Sequence, residues 1–166
     1  MVRKVVVGVL LGVLYLLLTV FFIRLFSDRQ LDDLSPGIPC DEELIRSSDV
    51  LYVIPAFDGK NISSDLEWCK YVLSFEKELA MHGVFHTYNE FGEYRNETYV
   101  FDGSSIFEDC FGYSPERFKP PQVAWTRENN WMMGYFDVDL DFNQVFHKAY
   151  HCNDTGMLPN WFQKAF

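Results

Sequence analysis

The residues of this 166-residue chain that could do chemistry are few and grouped. Its four histidines form two pairs with one spacing, His82/His86 and His147/His151. On an extended backbone, residues four apart lie about 13 Å apart at ~3.3 Å per residue. One ion cannot then bind both, because Zn–N distances are about 2 Å. In a helical turn the same pair shares a face and can share an ion, and Gly83 eases such a turn. The alternative for His82 and His86 is one core and one surface histidine. His147 and His151 share a face of a predicted strand. One of them could act as a general acid or base, since imidazole titrates near neutral pH; otherwise both are ordinary half-buried residues. Asp32-Asp33 is a pair of adjacent carboxylates that repel, so at least one needs a cation or a proton unless the segment is a solvated acidic linker. Asp137, Asp139 and Asp141 alternate along a predicted strand about 6–7 Å apart, which suits a solvated acidic face better than a calcium cluster.

The elements that must position these groups can be read from pattern. Residues 27–40 are polar and contain Pro36, Gly37 and Pro39, so they read as a linker that becomes a loop. Residues 41–48 predict a short helix starting near Asp41. Residues 50–57 (VLYVIPAF) predict a buried strand. Residues 63–81 predict a helix capped by Ser63 or Ser64, with Leu66, Cys69, Val72, Leu73 and Leu79 as its stripe. A second helix is expected over 103–111, capped by Ser104 or Ser105 and stopped by Gly112 and Pro115. Residues 117–125 predict a strand leading into a loop, and 126–133 a short helix. In 135–143, Phe136, Val138, Leu140 and Phe142 alternate with polar residues, as in a half-buried strand. Residues 145–152 predict another strand, and 158–166 an aromatic terminal segment. Strands separated by helices imply an α/β body with a largely parallel sheet.

Ahead of this body stand 19 uncharged residues, 5–23 (VVVGVLLGVLYLLLTVFFI). That is close to the ~20 residues a helix needs to cross a bilayer, and longer than the apolar centre of a cleavable signal. We read 1–27 as an uncleaved signal anchor and 28–166 as one globular domain. The formal net charge is −10, with Arg3, Lys4 and Arg24 in the head, so the acid sits in the body and argues against nucleic-acid binding. Arg3 and Lys4 before the span favour a cytoplasmic N-terminus and an extracellular or luminal body. The triplets at Asn61, Asn96 and Asn153 are glycosylation sequons. In an oxidising compartment Cys40, Cys69, Cys110 and Cys152 could form two disulfides in any of three pairings, or remain buried thiols. The aromatics, Trp68, Trp125, Trp131 and Trp161 among them, read mainly as core and loop packing, with a sugar-binding cleft as the other use.

Taken in order, these clusters resemble the polysaccharide deacetylase (NodB-homology, carbohydrate esterase 4) superfamily, and within it a divergent DUF2334-like branch. The resemblance rests on Leu31-Asp32-Asp33-Leu34-Ser35-Pro36, His82-Gly-Val-Phe-His86-Thr87, Lys119-Pro120-Pro121-Gln122 and Tyr150-His151-Cys152, with residues 106–113 before the third motif. It spans roughly residues 31–161. It implies a reduced, distorted (β/α) barrel behind the membrane helix. It implies a divalent metal, usually zinc, held by Asp33, His82 and His86, with Asp32 as general base and His151 as general acid. His147 is the rival for that last role. Lys119, Pro121, Gln122 and His147 would contact the substrate, and a backbone N–H near Gln122 would help hold an oxyanion. The implied reaction removes the acetyl group from an N-acetylated amino sugar of a glycan. A non-catalytic glycan-binding or envelope-interaction domain on the same scaffold is the alternative. The chain has Lys119 where the family usually has Arg, and Gln122 where it usually has an aromatic. Residues 27–31 (SDRQL) make a poor strand by composition.

Overall fold

A computed structural model describes residues 2–141 and 143–165, without the side chains of residues 2–4 and 143. The apolar head is one helix, α1 (Val2–Phe26). At ~1.5 Å per residue its 25 residues reach about 37 Å. From Val5 to Phe26 it is long and apolar enough to cross a membrane, as an anchor or a signal sequence would be. Arg24 ties it to the body: 7% exposed, it donates to the carbonyls of Gln144, Val145 and His147 and to Gln163 Oε1.

The body is built on a six-stranded sheet of β1 (Arg29–Leu34), β2 (Val50–Val53), β3 (Glu78–His82), β4 (Arg117–Lys119), β5 (Asp137–Val138) and β6 (Lys148–His151). Its order is β5-β4-β3-β2-β1-β6 and every ladder is parallel. The ladders leave β5 and β6 as edges. Side chains on the inner face nonetheless reach from β4 to β1 across two intervening strands, Lys119 to Gln30 and Asp32, so the sheet is strongly curled.

Helices α2 (Glu42–Ser47), α3 (Leu66–Leu73) and α4 (Glu97–Phe111) lie between these strands in the chain, followed by short α5 (Asn143–Phe146) and α6 (Asn160–Ala165). Asp41 caps α2 by accepting from Glu43 N–H, as its position suggests. The expected long helix over 63–81 is instead two elements. Asp65, not a serine, caps α3 at Trp68 N–H, and Leu79 belongs to β3. A strand buried on both faces is apolar throughout, and periodicity alone cannot separate it from a helix. Helix α4 starts earlier than expected, at the Asn96 cap, and ends at Gly112 with φ 83°. The expected strand over 50–57 stops at Val53.

The largest correction concerns residues 27–40. Within the segment read as a linker, residues 29–34 form strand β1, between β2 and β6, with all but Arg29 buried, while residues 35–40 are the expected loop. Tertiary context overrides its poor strand composition: Leu31 and Leu34 enter the core while Gln30 and Asp32 find polar partners on the inner face. The long alternating strand over 135–143 is also shorter, since β5 covers only Asp137–Val138 and α5 follows. Phe142, expected on its apolar face, lies outside the described residues. The strand expected over 145–152 begins only at Lys148.

Cys40 pairs with Cys152 and Cys69 with Cys110. The first bridge ties the loop after β1 to the end of β6, and the second staples α3 to α4. Their sequence separations are 112 and 41 residues. Loop-closure entropy then assigns them about 5 and about 4 kcal/mol. Replacing Cys40 and Cys152 by Ser should therefore lower the urea midpoint of the detergent-solubilised chain more than replacing Cys69 and Cys110. The reverse order would contradict the entropic account.

Candidate active site

Parallel strands bring their carboxyl ends to one edge, and the registers place chemistry there. Asp32 stands opposite His151, and His82 opposite Lys119. Adjacent strand residues normally face opposite sides. The β1–β2 ladder is irregular between Leu31 and Leu34, however, and Asp33 has φ 64°. Such a bulge re-aims a side chain, and here it turns Asp33 into the cavity beside Asp32. The cavity, of about 550 Å³, is lined by Asp32, Asp33, His82, His86, Lys119 and His151 among others.

His82 closes β3. Its Nδ1 lies 3.0 Å from the Lys119 carbonyl oxygen. A carbonyl only accepts, so Nδ1 carries a proton and Nε2 is the nitrogen turned toward Asp33. That Nε2 is 3.3 Å from Asp33 Oδ1, and His86 Nε2 is 2.8 Å from the same oxygen. One ligand atom from each of the three residues lies within 4.8 Å of the others. Asp33 Oδ2 accepts from the Thr155 hydroxyl at 2.6 Å. Its Oδ1 is buried and makes no hydrogen bond of acceptable geometry among the described residues. An oxygen so placed, between two imidazole nitrogens, fits a divalent cation. The spacing alternatives are thus resolved by neither a helix nor an extended run. His82 ends a strand, Gly83 turns at φ 62°, and His86 returns at φ 58°.

Burial opposes ionisation of Asp33, but the two imidazoles beside it, His82 and then His86, outweigh it and hold the carboxyl well below the usual range. His86 is pushed up, since Asp33 overcomes its desolvation. Asp32 is also lowered. Burial is the largest influence and acts the other way, but Lys119, His82 and His151 together prevail.

Lys119 is 1% exposed. Its Nζ donates to Asp32 Oδ1 and Gln30 Oε1, each at 2.7 Å, and sits 3.8 Å above the Tyr52 ring. The Tyr52 hydroxyl donates to Asp139 Oδ2 at 3.0 Å, and Gln30 Nε2 reaches the same oxygen at 3.2 Å. Burial, then Asp139, pushes the tyrosine up. Asp139 is therefore not part of a solvated acidic face. Asp137 and Asp141 are solvated as expected, their side chains 82% and 75% exposed, at 4.0 Å from Arg117 and 3.8 Å from His147.

His151 Nε2 is 3.5 Å from Asp32 Oδ2, and its Nδ1 is 3.4 Å from Gln144 Nε2. His147 does not share its face. It precedes β6, its carbonyl accepts from Arg24, and it is not among the residues lining the cavity. Gln122 does line it and accepts Asn89 N–H on Oε1 at 2.8 Å. Pro121 is buried beneath Gly83, and Pro120 lines the cavity in its place. None of the four tryptophans is among the lining residues; Trp125, for example, stacks on Phe91. Sequence reasoning missed Thr155, Gln144, Gln30 and Glu90. Thr155 carried only a sequon signal, and the other three carried none.

No family model matches the chain, and no curated protein matches it by sequence. Among solved structures it is similar to the Xyl-CE4 domain of a multidomain xylanase from the hindgut metagenome of Trinervitermes trinervoides, at 15% identity and a TM-score of 0.41. The match covers 68% of this chain and 56% of that one, so the chain spans little more than half the length of that neighbour. At this level the likeness carries no argument about chemistry, which rests on the geometry above.

Lys119→Met leaves Asp32 buried without its ammonium and should cost about 3–5 kcal/mol of stability. Adding Asp32→Asn should restore a large part of that loss. Urea unfolding of the two single variants and the double variant measures the coupling.

Proposed function

We propose that the chain is a membrane-anchored, metal-dependent amide hydrolase that removes the acetyl group from an N-acetylated amino sugar of a glycan. The observation that carries the reading is the convergence of Asp33, His82 and His86 beside Asp32 and His151 in one cavity. Two imidazoles and a carboxylate suit zinc, and three protein ligands leave room for a substrate or water. A divalent cation held there supplies Lewis acidity toward the amide carbonyl and acidifies water. The carbohydrate substrate and the division of roles come from the motif resemblance, as does the DUF2334-like branch.

Asp32 is the general base. Its ionised form is favoured by Lys119, so it is ready to take a proton from the attacking water. The water oxygen bonds to the carbonyl carbon and the carbon–nitrogen bond breaks. His151, in its imidazolium form, gives its proton to the departing nitrogen. The products are acetate and a free amine. The 3.5 Å between Asp32 Oδ2 and His151 Nε2 lets the proton collected by the base return to the acid, which resets the pair. Lys119 acts beneath Asp32 instead of on the substrate, and Gln122 is left to line the entrance.

We assign residues 1–27 to the anchor and 28–166 to the hydrolase body, on the non-cytoplasmic side of the bilayer. The two disulfides favour an oxidising compartment, and Arg3 and Lys4 before the span agree with that orientation.

Zinc analysis of the purified chain, with acetate release from N-acetylglucosamine oligomers, tests the reading. Asp32→Asn should retain metal and lose about 10²–10⁴-fold in rate. Asp33→Ala and His86→Ala should lose metal and activity together. A wild-type protein that binds metal and the oligomer but releases no acetate would establish the non-catalytic glycan-binding role instead.

A further inference from the structure

The turn that carries His86 is wrapped around a side chain. Glu90 is 0% exposed. Its Oε1 accepts the N–H groups of Val84 and Phe85, both at 3.0 Å, and the Tyr99 hydroxyl at 2.6 Å. Its Oε2 accepts the His86 N–H at 2.9 Å. Three consecutive backbone donors therefore aim at one carboxylate, which forces the segment to curl around it as successive amides do in an anion nest. Bonds to an ionised acceptor are about twice as strong as neutral ones. The curl brings the His82 and His86 rings to a centroid separation of 5.0 Å.

Neighbouring groups lock the carboxylate in place. A Cβ on Gly83 would sit 2.5 Å from Glu90 Oε2 and 2.6 Å from Pro121 Cγ, so the turn closes only around glycine. Arg95 Nε donates to the Glu90 carbonyl at 2.6 Å, and its guanidinium lies over the Tyr99 ring. Tyr99 stands on α4, which ties the carboxylate to the body of the fold.

We propose that Glu90 is a positioning residue whose buried carboxylate holds segment 83–86 curled, so that His86 meets His82 and Asp33 around one divalent cation. It touches neither the cation nor the substrate and acts through the backbone. The inference rests on the metal-site reading above. Glutamine at this position keeps the shape but offers one acceptor oxygen. Its amide nitrogen must face either His86 N–H or the Val84 and Phe85 pair, donor against donor.

The test uses the full chain in detergent with Zn²⁺ and Co²⁺ as probes. Chelator competition should show Glu90→Gln binding Zn²⁺ about 10–100-fold more weakly. The visible absorption of its Co²⁺ form should change. Tyr99→Phe removes one of the four donors and no backbone donor, and should keep affinity within about fivefold of wild type. In metal-free protein, the amides of Val84, Phe85 and His86 should exchange slowly in wild type, although they lie outside every helix and ladder, and faster in Glu90→Gln. Unchanged Zn²⁺ affinity and Co²⁺ absorption in Glu90→Gln would overturn the proposal and leave the metal site standing. Should Glu90→Gln fail to fold, unprotected amides in the wild-type turn would overturn it, and protected ones would support it. A wild-type chain that binds neither metal would remove the metal-site reading and this inference together.

Discussion

Two neighbouring carboxylates, Asp32 and Asp33, are each 4% exposed, and a folded chain cannot leave such a pair uncompensated. The structure divides them. Asp32 is given an ammonium, Lys119, brought across the curled sheet from β4. Asp33 is turned by the bulge toward two imidazoles and braced by a threonine. The rest of the arrangement follows from this division. The curl of the sheet is what allows Lys119 to pass over Tyr52 and reach β1. The parallel registers are what set His82 and His151 beside the pair. Asp32 is thereby held ionised beside Lys119, while Asp33 keeps Oδ1 between the two imidazoles.

The sequence showed much of this site and little of the strand that holds it. Asp32, Asp33, His82, His86, Lys119 and His151 were singled out by residue type, spacing and motif order, and all six line one cavity. Strand β1 was obscured because Arg29, Gln30, Asp32 and Asp33 look like linker. A strand that tolerates them must have polar partners on its inner face, and those partners lie on the order of ninety positions away, at Lys119. Likewise β3 disappeared into a helical stripe, because a doubly buried strand has no polar face to reveal its period. The shift of strand β6 had a similar cause: Val145 and Phe146 look like strand, yet they belong to helical turn α5, whose Gln144 and Val145 carbonyls, with that of His147, surround Arg24.

That cluster around Arg24 bears on how the apolar helix relates to the cavity. The guanidinium reaches the carbonyls of Gln144 and Val145, and both residues line the cavity wall. Gln163 bridges the same place, accepting from Arg24 and donating to the Gln144 carbonyl. Gln144 in turn contacts His151 and holds Leu158 from both ends of its amide. The last turn of α1 thus braces, through Arg24, the wall next to the proposed acid. Only Ser27 and Asp28 separate the helix from the strand that carries both aspartates. A flexible tether would leave the wall without these contacts.

Backbone conformation separates the site residues that regular strands place from those that strained turns place. Asp32, His82, Lys119 and His151 lie at or near the ends of regular strands, where registers place them. Asp33, His86 and Gln122 have φ of 64°, 58° and 54°, a region that side-chain-bearing residues enter at a cost of about 1–3 kcal/mol each. Such conformations persist only where the surroundings over-determine them. Thr155 fastens the Asp33 carboxylate, Glu90 collects the amides before His86, and Asn89 N–H holds the Gln122 side chain. Each fastening is a contact no local pattern announces, and each bears on a group that faces the cavity. Regular elements supply the charges and fix their registers, and strained turns then aim the remaining donors at a common point.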